Sequence, residues 1–300
     1  MQKHIPPRSK IQLTRRGRLA LVVAGTVVAG TAVAVPLLTP HAHHAQAKPG
    51  KLVIPEGWRT SQVYAAIDKA LKLHPGSTGK SVRKAGLKLP HDAAGNPEGY
   101  LFPATYNVPK GATPESVLRA MVDTANQKFD RTPIAAGAQR NALNVYQTVV
   151  LASIVQAEAE TKEDMGKVAR VVYNRLRRGM PLQLDSTINY ALNRTTMRTS
   201  QDDTRIKSPY NSYQRMGLPP TPIDNPGEDA MHAALNPTPG DWLYFVTVKP
   251  GDTRFTSDYA THVRNVAEFN ALRQSKGKPA SPSAGASASR SPASSQPTAH

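Results

Sequence analysis

The sequence contains no cysteine, only nine histidines in 300 residues, and no acidic residue before Glu56 or after Glu268. The lack of thiols excludes disulfide scaffolds, cysteine-ligated zinc, iron–sulfur clusters and thiol nucleophiles. The four histidines between 51 and 270 are widely scattered, and neither a Gly-x-Ser-x-Gly elbow nor a Walker loop is present. We therefore expect no metal ion and no cofactor.

The net charge of +17 is concentrated at the two ends of the chain. Residues 1–50 carry seven lysines and arginines and residues 271–300 carry four, none offset by an acidic residue, so 11 of the 17 charges lie there. The stretch 51–270 has 27 basic and 21 acidic residues, a net of +6 that is ordinary for a soluble domain. Because the charge lies at the ends and no RNP-like or helix-turn-helix motif occurs, nucleic acid is not an expected partner.

An uncharged stretch of twenty residues, 19–38, is long enough to cross a hydrocarbon core of about 30 Å as a helix. Six positive charges precede it, so the positive-inside rule places the basic tail 1–18 in the cytoplasm and everything after the linker 39–50 outside. A cleaved secretory signal is the alternative, with Ala45-Gln46-Ala47 as the small-x-small site. The apolar run exceeds a usual signal core, and this site lies well beyond its end. We predict a retained single-pass anchor in the cell membrane.

The folded region opens with a repeated strand–turn–helix pattern. Leu52-Val53-Ile54 reads as a short strand, Pro55-Glu56-Gly57 as a turn, and Thr60 or Ser61 as the cap of a helix. The same pattern returns at 108–121, where Thr113 is the cap. Such units either bind glycans or simply pack together, and the sequence leaves both interpretations open.

The clearest helix is predicted over residues 141–160, because apolar residues recur at helical spacing and indicate a largely buried element. A capping-box pattern at 161–164 opens a second helix that ends at Gly179, with its arginines interpreted as a solvated face. Proline-rich and aromatic loops follow at 208–213 and 217–227, and two strands are expected at 241–248 and 254–256. The Ser/Ala/Pro-rich segment 273–300 is predicted to be a disordered tail.

Glu158 is the residue best placed for chemistry. It follows Leu151, Ile154 and Val155 at spacings of seven, four and three, which puts it on the inward face of the buried helix. A carboxyl group held among aliphatic side chains has its charged form disfavoured, so its pKa rises toward neutrality, as a general acid requires. A salt-bridged glutamate near a helix end is the structural alternative. Polar and aromatic side chains on exported loops suit carbohydrate, so an enzyme acting on a cell-envelope glycan fits.

Several motifs, in collinear order over residues 50–270, closely resemble the YceG-like endolytic murein transglycosylases. They are EGYLFPATY at 98–106, LASIVQAEAE at 151–160, VARVVYNRLRRGM at 168–180, LQLDST at 182–187, SPYNSY at 208–213, GLPPTPIDNPG at 217–227 and AALNP at 233–237. The resemblance implies an α+β fold: a small LysM-like strand-helix subdomain, 51–97, joined to a mixed α/β catalytic domain, 98–272, and preceded by one transmembrane helix.

The resemblance makes Glu158 the catalytic residue of a lyase that cleaves MurNAc–GlcNAc bonds within peptidoglycan strands and leaves 1,6-anhydroMurNAc ends. The family often has two acidic residues spaced by one, whereas this chain has Gln156 and Glu158, which favours Glu158 and makes Glu160 a poor candidate. Positions matching the family's motifs are the substrate-binding candidates: Gln183, Asp185, Ser186, Thr187, Tyr210, Asn211, Tyr213 and Asn225. Asp185 is either a second catalytic acid or the cap of an Asx turn.

The expected partners are peptidoglycan glycan strands, peptidoglycan synthases or division proteins, and the membrane through the N-terminal helix. The enzyme would terminate or trim nascent strands. A non-catalytic peptidoglycan-binding scaffold, with the repeat as glycan reader, is the alternative function.

Overall fold

The computed structural model describes residues 50–195 and 199–277. The predicted anchor at 19–38 lies outside these residues, as does the part of the predicted tail after 277. Within the described part of the chain, no helix combines the length and apolar character needed to span a bilayer. The last helix runs to Gly277, so it includes the first residues of the segment predicted as a tail.

The described residues form a mixed α/β fold with two small antiparallel sheets. The first half contains β1 (Lys51–Val53), α1 (Thr60–Ala70), α2 (Ser77–Ser81), β2 (Thr105–Asn107), α3 (Pro114–Phe129) and α4 (Thr132–Arg140). The second half contains α5 (Val145–Glu158), α6 (Lys162–Arg177), α7 (Asp185–Ala191), α8 (Glu228–Leu235), β3 (Tyr244–Lys249), β4 (Asp252–Thr256) and α9 (Tyr259–Gly277). β1 pairs with β2, and β3 pairs with β4.

The predicted strand–turn–helix repeat is confirmed as β1–α1 and β2–α3. In each copy a glycine with positive φ, Gly57 at 74° and Gly111 at 84°, turns the chain between strand and helix. Thr113 caps α3 as expected, accepting a hydrogen bond from the backbone N–H of Ser116. The predicted cap of α1 was wrong, because Arg59 occupies that position and Thr60 donates its N–H and hydroxyl to the distant carboxylate of Glu98 instead.

Helix α5 forms the centre of the core, with residues 149–155 all buried. It starts later than the sequence predicts because Asn144 caps it, accepting a hydrogen bond from the N–H of Gln147. It ends at Glu158 because Ala159 adopts an extended conformation. α6, α7 and α8 all contact α5, so this helix is held by packing on several sides.

Helix α6 begins after Thr161, whose hydroxyl accepts the N–H of Asp164, as predicted. The predicted solvated face holds for Arg177 and Arg178, which are exposed, but not for Arg170. Arg170 donates to the carbonyl oxygens of Thr238 and Pro237 at 2.8 and 3.1 Å, and Arg175 is buried. These side chains therefore fasten the segment after α8 to the helix.

The two strands predicted at 241–248 and 254–256 form a C-terminal hairpin, and the turn between them is shorter than predicted. β3 and β4 pair with Tyr244 opposite Thr256, and the turn contracts to Pro250 and Gly251. Leu243 is buried and Phe245 packs against the core, so this pair faces inward. His262 lies in α9, where its ring stacks on that of Tyr244 with the ring centroids 5.0 Å apart.

Asn225 ties three separate chain segments together. Its side-chain oxygen accepts the N–H of Leu101 at 2.8 Å, and its side-chain nitrogen donates to the carbonyl of Trp58 at 2.8 Å. Its backbone carbonyl accepts the N–H of Gly57 at 2.9 Å. Like the β1–β2 pairing, the bonds to Trp58 and Gly57 cross the subdomain boundary predicted between 97 and 98.

We predict that Asn225→Ala lowers the free energy of unfolding by about 2 kcal/mol, because it leaves the buried N–H of Leu101 without an acceptor. Chemical denaturation of the full chain measures this. The matched control, Asn270→Ala on the exposed side of α9, is expected to change stability by less than about 0.5 kcal/mol. Equal stability of the two variants would contradict the conclusion that the hydrogen bonds of Asn225 stabilise the fold.

Candidate active site

The carboxyl group of Glu158 projects from the C-terminal end of α5 toward the N-terminal end of α7. Its Oε1 accepts a hydrogen bond from the hydroxyl of Ser186 at 2.5 Å. Part of the residue remains exposed, while its carboxyl group is closely surrounded by protein atoms. The carboxyl group is thus enclosed although the residue as a whole lies near the surface.

Burial raises the pKa of Glu158 above its ordinary value, and this is the largest influence on the group. The hydrogen bonds from Ser186 act in the opposite direction by favouring the carboxylate, while the nearby charge of Asp185 raises the pKa further. The direction expected from the sequence is confirmed. A raised pKa favours the protonated form that a general acid requires, while the Ser186 hydrogen bonds stabilise the carboxylate.

The segment that carries Ser186 is anchored in the core by apolar side chains. Leu182, Leu184 and Ile188 are all buried, which holds the short helix α7 against the core. The hydroxyl of Thr187 donates to the carbonyl of Leu184 at 2.7 Å and also lies 2.8 Å from the hydroxyl of Ser212. Ser186 is therefore presented to Glu158 by a rigid support.

Asp185 contacts the loop at 208–213. Its Oδ1 accepts a hydrogen bond from the hydroxyl of Tyr213 at 2.6 Å, and it is the first residue of α7. Burial raises the pKa of Tyr213, and the charges of Asp185 and Glu158 add to this effect, so Tyr213 remains a neutral donor. The Asp185 side chain binds a tyrosine rather than capping a turn.

Gln183 is exposed at the start of the same segment, with a positive φ of 51°. Its side-chain oxygen accepts a hydrogen bond from Arg175 at 3.3 Å. Arg175 is buried and also donates to the carbonyls of Leu243 and Leu182, at 2.6 and 2.8 Å. One buried guanidinium thus fixes Gln183 and the hairpin together.

The eight substrate-binding candidates divide into two groups. Gln183, Asp185, Ser186, Tyr210 and Tyr213 keep exposed or partly exposed side chains. Thr187, Asn211 and Asn225 have at most 1% of their surface exposed, and their polar atoms bond to other protein groups. The side chains of this second group position the loops and have no surface with which to contact a substrate.

A second buried carboxyl group, Glu98, was missed by sequence reasoning as a site residue. Its Oε2 accepts the hydroxyl of Tyr190 at 3.1 Å, and its Oε1 accepts both donors of Thr60 and the amide of Asn225. Burial raises the pKa of Glu98, and burial also raises that of Asp224 nearby, well above the ordinary value. The only signal in the sequence was the position of Glu98 in the EGYLFPATY motif.

No set of three potential metal-binding side chains occurs within residues 50–195 and 199–277. The arrangement that the structure does contain is an enclosed carboxyl group at the end of a buried helix, hydrogen-bonded to the Ser186 hydroxyl of α7, with the hydrogen-bonded pair Asp185 and Tyr213 nearby. Such an arrangement has the features of an acid–base site built on one carboxyl group.

The chain belongs to the YceG-like family, whose model matches residues 31–268. Over 181 residues it is 36% identical to the endolytic murein transglycosylase of Bacillus subtilis (strain 168), covering 60% of this chain and 49% of that protein. Over 177 residues it is 39% identical to the protein of the same name from Streptococcus pneumoniae serotype 2 (strain D39), covering 57% and 32%. The chain therefore spans about half, or less, of the length of these relatives.

A solved structure shares the fold. The 2.6 Å crystal structure of a yceG-like protein from Listeria monocytogenes matches with a TM-score of 0.64 and 30% sequence identity. The match covers 72% of this chain and 75% of that one.

We predict that Glu158→Gln makes the protein more stable than the wild type as pH rises from about 4 to about 8. The folded-state pKa is raised, so the stability that the protonated carboxyl contributes is complete at low pH and is lost as pH rises through the folded pKa. Glutamine retains the shape but cannot ionise. Melting temperatures across this pH range measure the difference.

The exposed Glu160→Gln variant is the matched control and should follow the wild-type curve. A Glu158→Gln curve that also follows the wild type at every pH would contradict the pKa direction assigned to Glu158.

Proposed function

We propose that this protein is an endolytic lytic transglycosylase, which cleaves MurNAc–GlcNAc bonds within peptidoglycan strands and leaves 1,6-anhydroMurNAc ends. One observation carries the proposal: an enclosed carboxyl with a raised pKa ends the central helix and accepts a hydrogen bond from the Ser186 hydroxyl. The names of the curated relatives, endolytic murein transglycosylase, support the same reaction class.

In the first step, protonated Glu158 donates its proton to the glycosidic oxygen, and the bond from that oxygen to C1 of MurNAc breaks. The GlcNAc side leaves as an alcohol, while positive charge develops at C1 and the substrate's own N-acetyl group stabilises it. Burial favours the protonated form of Glu158 that this step requires.

In the second step, the Glu158 carboxylate removes the proton from the C6 hydroxyl of the same MurNAc, and O6 bonds to C1. The ring closes to the 1,6-anhydro sugar, and Glu158 is again protonated. The hydrogen bond from Ser186 stabilises the intervening carboxylate. No water is consumed, so the products together have the mass of the substrate.

This reaction explains why one carboxyl group is enough. Ordinary glycoside hydrolysis uses two carboxyl groups that flank the bond, one of them activating water or acting as nucleophile. Here the C6 hydroxyl of the substrate replaces water, and Glu158 serves in turn as acid and base. Asp185 accepts a hydrogen bond from the hydroxyl of Tyr213, so we assign it the role of positioning the loop that carries Tyr213.

The candidates with accessible side chains form the proposed cleft surface: Gln183, Asp185, Ser186, Tyr210 and Tyr213. Their hydroxyl and amide groups match the hydroxyls and N-acetyl groups of amino sugars. Thr187, Asn211 and Asn225 are assigned a supporting role because they are buried.

We predict that Glu158→Gln lowers the release of anhydro-ended fragments from peptidoglycan by at least about 100-fold, because glutamine can neither give nor take the proton. Mass spectrometry of the soluble products measures this with the full chain. Glu160→Gln is the matched control and should retain activity, because its exposed side chain lies two residues past the helix end.

Full activity of Glu158→Gln would overturn the assignment of this residue. If the wild type binds peptidoglycan but releases no product, the proposed reaction is wrong and the binding scaffold is the better description.

The N-terminal part of the proposal is a membrane anchor at 19–38 followed by a LysM-like unit. The order β1–α1–α2–β2, with an antiparallel strand pair, supports a LysM-like unit and extends it to β2 at Thr105–Asn107. An anchor of this kind would hold the cleft near the site where new strands leave the membrane.

We predict that the full chain sediments with membranes and stays there in high salt and carbonate, because twenty uncharged residues bury a large apolar surface in lipid. A chain lacking 19–38 should be recovered in the soluble fraction. Deletion of 279–300 is the control and should leave the protein in the membrane. Recovery of a soluble protein that begins at Lys48 would instead establish a cleaved signal.

A further inference from the structure

A cavity of about 430 Å³ opens beside α7, lined by Arg59, Glu98, Tyr190, Asn193 and Tyr210 among others. The rings of Tyr190 and Tyr210 lie 4.9 Å apart, between centroids, and are tilted by 57°. The hydroxyl of Tyr210 lies 2.8 Å from that of Thr221, so its ring is fixed at the edge of the cavity. The lining thus combines aromatic faces with polar groups.

The cavity is next to the proposed catalytic group along the same helix. Ser186, which contacts Glu158, and Tyr190, which lines the cavity, are four residues apart in α7. Residues at this spacing lie on one face of a helix, separated by a rise of about 6 Å. A glycan strand bound at Glu158 and running along α7 would therefore bring a further sugar unit to the cavity.

The cavity wall contains a cation that forms no direct ion pair. Arg59 donates to the carbonyl of Asn189 at 3.3 Å, and its guanidinium lies 5.1 Å from the Tyr190 ring centroid. Within the described part of the chain, no carboxylate oxygen lies within 4.0 Å of its nitrogens. Burial lowers the pKa of Arg59, but an arginine stays charged after such a shift.

Glu98 supports this wall and is not free to bind a ligand. Its two oxygens accept hydrogen bonds from Thr60, Asn225 and Tyr190. Through Thr60 it fixes the start of α1, where Arg59 is the capping residue, and through Tyr190 it fixes the aromatic wall. The one cationic group among the lining residues is the guanidinium of Arg59, which can give an anion strong, directed hydrogen bonds.

We propose that this cavity is a subsite for a carboxylate-bearing sugar unit of the glycan strand, with Arg59 donating to the carboxylate and Tyr190 and Tyr210 contacting the sugar ring. The inference rests on the proposed function. Two carboxylates of peptidoglycan have the required chemistry: the lactyl group of MurNAc without a peptide, and the carboxylates of a stem peptide. The subsite would make the enzyme distinguish these strands from neutral amino-sugar polymers.

Binding of three probes of equal length tests the proposal: a neutral N-acetylglucosamine oligomer, a peptide-free peptidoglycan strand, and a peptide-bearing strand. The protein is the full chain with Glu158→Gln, which prevents turnover, compared with the same chain also carrying Arg59→Gln. We expect Arg59→Gln to weaken binding of a carboxylate-bearing strand by about tenfold or more and to leave the neutral oligomer unchanged. The affected strand identifies which carboxylate is bound.

Two further variants separate recognition from folding. Arg59→Lys keeps the charge without the planar fork and should give a smaller loss than Arg59→Gln. Arg131→Gln, at an exposed arginine between α3 and α4, should change nothing. No loss for either charged strand, or an equal loss for all three probes, would overturn the subsite. Because these measurements need no turnover, they are independent of whether the wild type releases anhydro products.

Discussion

The hydrogen bond between Ser186 and the enclosed carboxyl of Glu158 is the contact on which this account depends. Burial alone would keep Glu158 protonated, and a strong set of donors alone would keep it ionised. The structure combines both kinds of influence: burial and the charge of Asp185 raise the pKa of Glu158, while the hydrogen bonds from Ser186 lower it. A single carboxyl that must act first as acid and then as base needs that balance.

The rest of the fold maintains the geometry of this contact. α5 is buried along most of its length and brings Glu158 to a fixed place, while Leu184 and Ile188 anchor the segment that carries Ser186. The N-terminal unit is joined to this region through Glu98 and Asn225. Changes in the first unit can therefore reach α7 and the cleft, and the two parts are best studied in one chain.

The sequence was sufficient for features that depend on local patterns. Helical periodicity identified α5 and the inward position of Glu158, and the capping residues Thr113 and Thr161 marked helix starts. It failed where a partner is distant in sequence. Glu98 takes Thr60 and Tyr190 as partners from 38 and 92 residues away, and no local pattern encodes such a contact. Motif matching likewise could not separate the partly exposed Tyr213 from the buried Asn211, because burial depends on contacts with distant parts of the chain.

Digestion of peptidoglycan by the full chain in water enriched in heavy oxygen tests the central claim most directly. If the C6 hydroxyl of MurNAc is the nucleophile, the new ends are lighter than hydrolysed ends by one water and contain no heavy oxygen. Reducing ends that carry heavy oxygen would show that water attacks C1, and would contradict the role given to Glu158 as the only acid and base.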